Sequence, residues 1–358
     1  MGIFLVTHGK GKRISNWLLG LFFIAIGINL VDMFLHMQQM FSIAGLLSLM
    51  DLALILSFGP LIYFYARSIL YKDFKFTSRH LLHFLPFAIF AVIVLYYYII
   101  TPPEIQVEAV TQLSEFKLSV PQAMTVVPFY IHMLVYALLS AREMKMYNQV
   151  AKEEYSNLIT LNIDWLKFLF RSFMAIIIVS FALSMVPYTS LKGYSEIMLI
   201  AFIILVFYVI NKIVIKGMKE PDIFSRASVD QSNKKYTSSK LSEQEKSTIK
   251  LAISDIMERE KLFLDPELSL NQLASNLNLN RRDVSQVINE KLKMSFHDFV
   301  NFHRIEVAKS QIRNGDSKMT ILEVLYQSGF NSKSSFNHAF KKHVGMTPTE
   351  YRKSSPEK

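Results

Sequence analysis

Cysteine is absent from this 358-residue chain. That excludes disulfide staples, a thiol nucleophile and zinc held by thiolates. Tryptophan is scarce, with 2 residues, and glycine is sparse at 12. No glycine-rich phosphate loop, G-x-S-x-G, H-E-x-x-H or kinase signature occurs. The expectation is therefore of no catalytic residues, no metal site, no cofactor and no enzyme. Charge is also in short supply: 19% of residues are charged and 51% are hydrophobic, a mixture that suits a chain with both membrane and soluble parts. Lys and Arg (39) exceed Asp and Glu (29), for a net charge of +10. Contact with nucleic acid and bases flanking membrane spans account for such an excess equally well, so the positions of the charges must decide.

Long apolar runs occupy 16–36, 41–70 (with Gly59-Pro60 inside), 80–100, 122–141, 164–187 and 194–215. Most approach the roughly 20 apolar residues that cross a hydrocarbon core. The loops supply an independent test. Lys10, Lys12 and Arg13 precede the first run, Arg67, Lys72, Lys75 and Arg79 lie between the second and third, and Arg142, Lys145 and Lys152 follow the fourth. Lys212, Lys216 and Lys219 close the sixth, whereas the alternate loops hold only Lys117 and Lys192. This alternation predicts about six spans with both termini in the cytoplasm. Segments such as 168–186 and 197–210 are apolar on every face, against a soluble helical core. The apolar stretch after Arg13 is too long for a signal peptide and lacks a small-residue cleavage pattern. Gly2-Ile3-Phe4-Leu5-Val6 reads as the tail of an earlier helix, so the bundle is expected to be six spans or a truncated seven.

Composition changes after Ile215. Residues 217–240 are rich in Lys, Ser, Asn, Asp and Gln and predict a solvated linker. Ser242 with Glu245 then signals a helix start, and Ile249, Ile253, Ile256 and Met257 form a stripe too short for a coiled coil, which favours docking on the C-terminal helices. The expected division is a membrane domain over 1–216, a linker over 217–240 and a helical domain over 241–358. In that last domain Ser269 with Gln272, Ser295 with Asp298, Thr320 with Glu323 and Thr347 with Glu350 mark helix starts, Asn280 and Asn331 or Ser332 cap two more, and Gly315, Gly329 and Gly345 mark ends.

Two units repeat within this frame. Leu273-Ala274 is followed by Leu277, Leu279 and Val284 much as Val324-Leu325 is by Ser328, Phe330 and Phe336, with one extra residue in the second. Each set forms the small core of a helix-turn-helix, leaving its second helix free to enter a DNA major groove. The exposed faces of those helices are Arg281, Arg282, Ser285 and Gln286 in the first unit, and Lys333, Ser334, Ser335, Asn337 and His338 in the second. Arg, Gln and Asn suit bidentate contacts to base edges; Lys341 and Lys342 suit phosphates. Between the units, 297–313 presents Phe299, Val300, Phe302, Ile305, Ala308 and Ile312 to a core. A helix there is a rod of roughly 25 Å, fit to hold two readers about one DNA turn, roughly 34 Å, apart.

With these residues in view, 269–352 resembles the tandem helix-turn-helix domain of AraC/XylS-type transcription regulators. The most specific pieces are Arg304-Ile305 with Ala308, Ser328-Gly329-Phe330-Asn331-Ser332, Phe336 with Phe340-Lys341, and Gly345-Met346-Thr347-Pro348 followed by Tyr351-Arg352. The N-terminal part resembles, more weakly, the multi-span sensor half of some bacterial members, usually of seven spans, through Gly59-Pro60 with Tyr63 and His83 with Pro86. Two positions depart from the family pattern. Leu325 stands where a small alanine is usual, implying that the second unit repacks or tilts. His338 stands where an Arg is common, which weakens the contact expected there.

The resemblance implies an all-α protein: a polytopic membrane bundle followed by a cytoplasmic tandem helix-turn-helix domain. It implies a membrane-anchored one-component regulator in a bacterial inner membrane, with double-stranded DNA, the lipid bilayer and an unknown small-molecule or lipid signal as partners. Two readers on one chain satisfy a two-part site, so a homodimer is compatible but not required. A transporter or permease with a fused regulatory domain is the alternative, and a membrane hydrolase a more distant one.

Ionisable groups in the spans are expensive in lipid and hence candidates for sensing. Asn29, Asp32 and His36 share one side of the first span; Asp51, His132 and Glu196 fall in the same outer half. Either Asp32, His36, Asp51 and His132 line a ligand pocket, or such groups bond helix to helix. Tyr63, Tyr65, Tyr96, Tyr97 and Tyr98 read as an interfacial belt, and His80 with His83 as interface residues. Glu153-Glu154 reads as a solvated charged face.

Overall fold

The computed structural model describes residues 2–7, 12–38, 40–114, 124–158, 164–219, 241–314 and 319–354. Lys10, Lys117, Gly315 and the His36 side chain lie outside the described residues, as does 220–240 of the expected linker. The chain divides into two compact units, one of Met1–Lys145 with Asn162–Asp230, the other of Met146–Leu161 with Gln231–Lys358. Among the described residues the structure is helical, with no strand and a single isolated bridge, Tyr155 to Ser269.

The first unit contains α1 (Gly2–Thr7), α2 (Arg13–Met37), α3 (Phe41–Leu70), α4 (Ser78–Leu81), α5 (Leu85–Ile100), α6 (Pro103–Ser114), the start of α7 (Val127–Glu154), α8 (Asp164–Met185) and α9 (Ser195–Lys219). Residues 217–219, expected in the linker, continue α9 as helix. Segments Arg13–Leu35, Leu46–Leu70, Ser78–Ile100, Trp165–Tyr188 and Lys192–Ile213 are long and apolar enough to cross a membrane. Of the spans expected from sequence, 122–141 is not among these five, because the apolar start of α7 passes into Arg142, Glu143 and Lys145 within one helix.

This unit carries large apolar side chains on its outside as well as in its core. Its centre is aromatic, with Phe22 edge-on to Phe58 and Phe173. Large apolar side chains such as Ile89, Val92, Ile99, Ile178, Ile204 and Phe207 face outward. Gly59 lets α7 approach α3: a Cβ there would lie 2.9 Å from Tyr136. Tyr63 and Tyr65, expected in an interfacial belt, are instead buried, Tyr65 against the Trp165 ring. Their places on the helix face α7 and α8 rather than the rim. His80 accepts the Thr77 amide as a helix cap, and His83 is 2.8 Å from the Tyr136 hydroxyl.

The second unit comprises α10 (Glu243–Glu260), α11 (Leu270–Asn276), α12 (Arg281–Lys291), α13 (Phe296–Asn314), α14 (Ile321–Gln327), α15 (Lys333–Val344) and α16 (Pro348–Ser354), with the end of α7 and residues up to 158. The start signals in the sequence correspond to bonded caps. Ser242 with Glu245, Ser269 with Gln272 and Thr320 with Glu323 close reciprocal capping boxes, while Asn280 and Ser332 cap α12 and α15. The stripe on α10 is buried, so this helix docks as a strut against α12.

Two cores result. One gathers α10, α11, α12 and the start of α13; the other gathers Ile305, Ala308, Val324, Leu325, Phe330, Phe336, Phe340 and Tyr351. Helix α13 thus supplies Phe299 and Val300 to one and Ile305 and Ala308 to the other. Phe302, expected in a core, is 38% exposed and packs edge-on to His303 and His343. Leu325, where a repacked or tilted unit was expected, is buried in the second core.

Candidate nucleic-acid interface

The side chains expected to read DNA sit at the starts of α12 and α15, where each helix is fixed from beneath. Val284, Val287 and Ile288 anchor α12, and Phe336, Ala339 and Phe340 anchor α15. On α12, Arg282 is exposed, Ser285 is half-buried, and Gln286 gives its amide to Glu290 at 3.0 Å. On α15, Lys333, Ser334, His338 and Lys341 are exposed, Asn337 is half-buried, and the Ser335 amide donates to the Ser332 cap.

Besides Gln286, two of the residues expected to contact DNA are ion-paired within the unit. Lys342 is exposed but lies 2.7 Å from the Asp298 carboxylate. The hydrogen bond from His297, followed by Lys342, holds the Asp298 carboxyl well below its usual range, against an opposing effect of burial. Arg281 is the second. Its Nη2 is 3.3 Å from Glu154 Oε1, and Glu154 is 4% exposed. The expectation of a solvated face at Glu153-Glu154 is therefore corrected. An acid at the end of α7 finds its partner on α12, which no local pattern in the sequence reveals.

Arg304 explains the weight of the Arg304-Ile305 pair. It is 2% exposed, and its planar fork ties separate stretches together. Nε donates to the Phe263 carbonyl at 2.7 Å, Nη2 to the Asp265 carbonyl at 2.7 Å and to Ser156 Oγ at 3.2 Å, and Nη1 to Asn301 at 3.3 Å. The guanidinium also lies 5.5 Å from the centre of the Phe330 ring. Burial pushes its pKa down to about 10. Arg304 is thus a structural anchor that sets one helix-turn-helix unit relative to the loop before the other. Gly329 completes the joint: its φ is +87°, and a Cβ would stand 2.6 Å from the Phe263 carbonyl oxygen.

The ionisable groups of the first unit fall into separate contact sets. Asn29 donates to Asp51 at 2.7 Å and Ser48 to Asp32 at 2.5 Å, both aspartates being buried. His132 packs on Tyr136, with ring centres 4.9 Å apart. Glu196 is exposed in the first turn of α9.

Two short-cored helix pairs with outward-facing second helices define a tandem helix-turn-helix DNA-binding domain. The family profile described as "Helix-turn-helix domain" matches residues 273–354. An uncharacterized HTH-type transcriptional regulator of Staphylococcus aureus (strain COL) is 32% identical over 104 residues, which is 29% of this chain and 14% of that relative. The melibiose operon regulatory protein of Escherichia coli (strain K12) is 28% identical over 94 residues, 26% of this chain and 30% of that relative. Among solved structures, the C-terminal domain of AraT, a response regulator from Geobacillus stearothermophilus, shares 26% identity, covering 34% of this chain and 92% of that one with a TM-score of 0.28. The matches thus span under a third of the length of these curated relatives. The C-terminal region of this chain is an AraC-type helix-turn-helix domain.

Proposed function

We propose that the protein is a membrane-anchored one-component transcription regulator. Sequence-specific DNA binding by α12 and α15 is controlled by a signal at the helical bundle. The observation that carries this reading is the presence, in one chain, of a tandem helix-turn-helix domain and of five helices apolar enough to cross a membrane. Outward-facing Ile, Val and Phe side chains suit a hydrocarbon solvent, and the alternation of basic loops supports both termini facing the cytoplasm from a bacterial inner membrane. Base readout falls to Arg281, Arg282, Ser285, Gln286, Lys333, Ser334, Ser335, Asn337 and His338, and phosphate contact to Lys341 and Lys342. The signal is an external or lipid-borne small molecule that shifts the packing of the bundle. The bonded pairs Asn29–Asp51 and Ser48–Asp32 are polar contacts between α2 and α3 that such a ligand would rearrange.

The test uses the full chain in lipid nanodiscs, with binding sites selected from random DNA. Arg282→Ala relaxes the base preference in one half-site. Lys341→Ala weakens all sequences alike and lowers the slope of log affinity against log salt by about one. Equal loss on selected and random DNA for Arg282→Ala overturns the base-reading role, and a wild-type chain that selects no sequence overturns the function itself.

A further inference from the structure

The loop that ends α7 does not leave the DNA-binding unit free. Helix α7 closes with the Tyr155 amide bonded to Ala151, and the chain then meets the segment before α11. Tyr155 lies opposite Ser269 in an antiparallel bridge. The Ser156 amide and hydroxyl both donate to the Leu268 carbonyl, at 3.2 and 2.6 Å. Asn157 donates to the Glu267 carboxylate at 3.2 Å. Ser156 also receives Arg304 Nη2, the fork that anchors the fold of this unit. One turn earlier, Glu153 bonds to Asn289 on α12, and Glu154 takes Arg281 at the start of the same helix. Three kinds of contact, from backbone pairing, buried hydrogen bonds and an ion pair, therefore agree on one docked position.

We propose that the 267–269 edge and Arg281 form a docking surface for this chain's own residues 154–157, and that occupation of it masks the first DNA reader. The inference rests on the proposed reading of α12 as a DNA-contacting helix. Docking opposes DNA in two ways. It commits the Arg281 guanidinium to Glu154, and it holds a buried carboxylate at the very helix start where phosphates and acceptor base edges would approach. A buried anion left at a DNA interface without its cation is strongly disfavoured, so Arg281 engages either Glu154 or DNA. Residues 127–154 form one helix that begins in the first unit and ends in the second. The strap is thus a route by which a bundle signal exposes the reader.

The absence of cysteine makes the test clean. A Tyr155→Cys/Ser269→Cys pair, at the two residues of the antiparallel bridge, brings two thiols within disulfide reach. In the full chain in nanodiscs, oxidation is expected to lower affinity for the selected DNA roughly tenfold or more, and reduction to restore it. Reversibility in one sample separates masking from misfolding. In the thiol-free chain, Glu154→Gln, a neutral residue of the same shape, raises affinity several-fold, and the same change has no effect once Arg281 is alanine. A pair that does not cross-link overturns the docking. A cross-linked chain that binds DNA as well as the reduced one overturns the masking and leaves the DNA-binding reading intact. A reduced chain that binds no DNA overturns both.

Discussion

Replacing Arg304 by lysine keeps the charge and removes the fork. Nε and Nη2 donate to two different carbonyls, those of Phe263 and Asp265, each at 2.7 Å. A single Nζ cannot occupy both positions, so one buried carbonyl loses its donor, at a cost of about 1–3 kcal/mol. The planar contact with Phe330, 5.5 Å from the ring centre, is lost as well, for about 1 kcal/mol at this buried site. The total is about 2–4 kcal/mol, a large part of the stability of a domain this size. The two units need not unfold together, so the measure is hydrogen exchange of α13 amides in the full chain rather than one melting curve. Protection is expected to fall by roughly 30- to 700-fold, with 1.4 kcal/mol per factor of ten. Arg304→Met provides the comparison. It removes both donors but also lifts the burial of a charge, the same burial that pushes the Arg304 pKa down to about 10. If lysine leaves α13 protection within about threefold of wild type, roughly 0.6 kcal/mol, the fork geometry is not what holds these segments, and the reasoning fails.

Three further predictions concern the same unit. Gly329→Ala destabilises it by about 2–5 kcal/mol, combining a left-handed backbone with a Cβ driven into the Phe263 carbonyl. Gly345→Asn costs under about 1 kcal/mol, since Gly345 has a similar φ of +86° but open space around it; equal effects in denaturant titration would refute the close-approach argument. Leu325→Ala costs about 2–5 kcal/mol, as for other buried leucines. A variant as stable as wild type by the same titration would mean that Leu325 strains the second core instead of filling it. The depressed Asp298 carboxyl predicts a pH effect. Its folded pKa lies below its unfolded value of about 3.9, so its stabilisation is fully present above that value and is lost as pH falls through the folded pKa. Asp298→Asn should therefore lower the denaturant midpoint near neutrality and converge with wild type in strong acid; a constant difference at every pH would refute the linkage.

Much of the helical architecture was legible because it is written in local rules. Caps three residues from their acid or amide, an apolar stripe on α10, and repeated apolar spacings depend only on neighbours along the chain. They located α10 to α16 and the two outward helices without any tertiary information. Long apolar runs similarly located α2, α3, α5, α8 and α9, since the need to satisfy backbone groups in an apolar environment leaves helix as the solution, whereas α6 lies in a stretch read as a loop. The run at 122–141 was harder, because its helix continues past its apolar part into a charged half.

What escaped the sequence is what depends on distant residues meeting. Glu154 reads as a solvent-facing acid until the fold brings it to Arg281, more than a hundred positions away. Tyr65 reads as an interfacial residue until Trp165 covers it. Phe302 fits the apolar stripe of α13, yet that helix serves two cores and leaves this position between them. The sequence by itself determined the helices of the second unit and the long apolar helices of the first, because these follow from periodicity, capping and charge. Only the tertiary structure decided that the end of α7 belongs with the DNA-binding unit and that Arg281 is already engaged. An ion pair is set by distance in space, and separation along the chain carries no information about it.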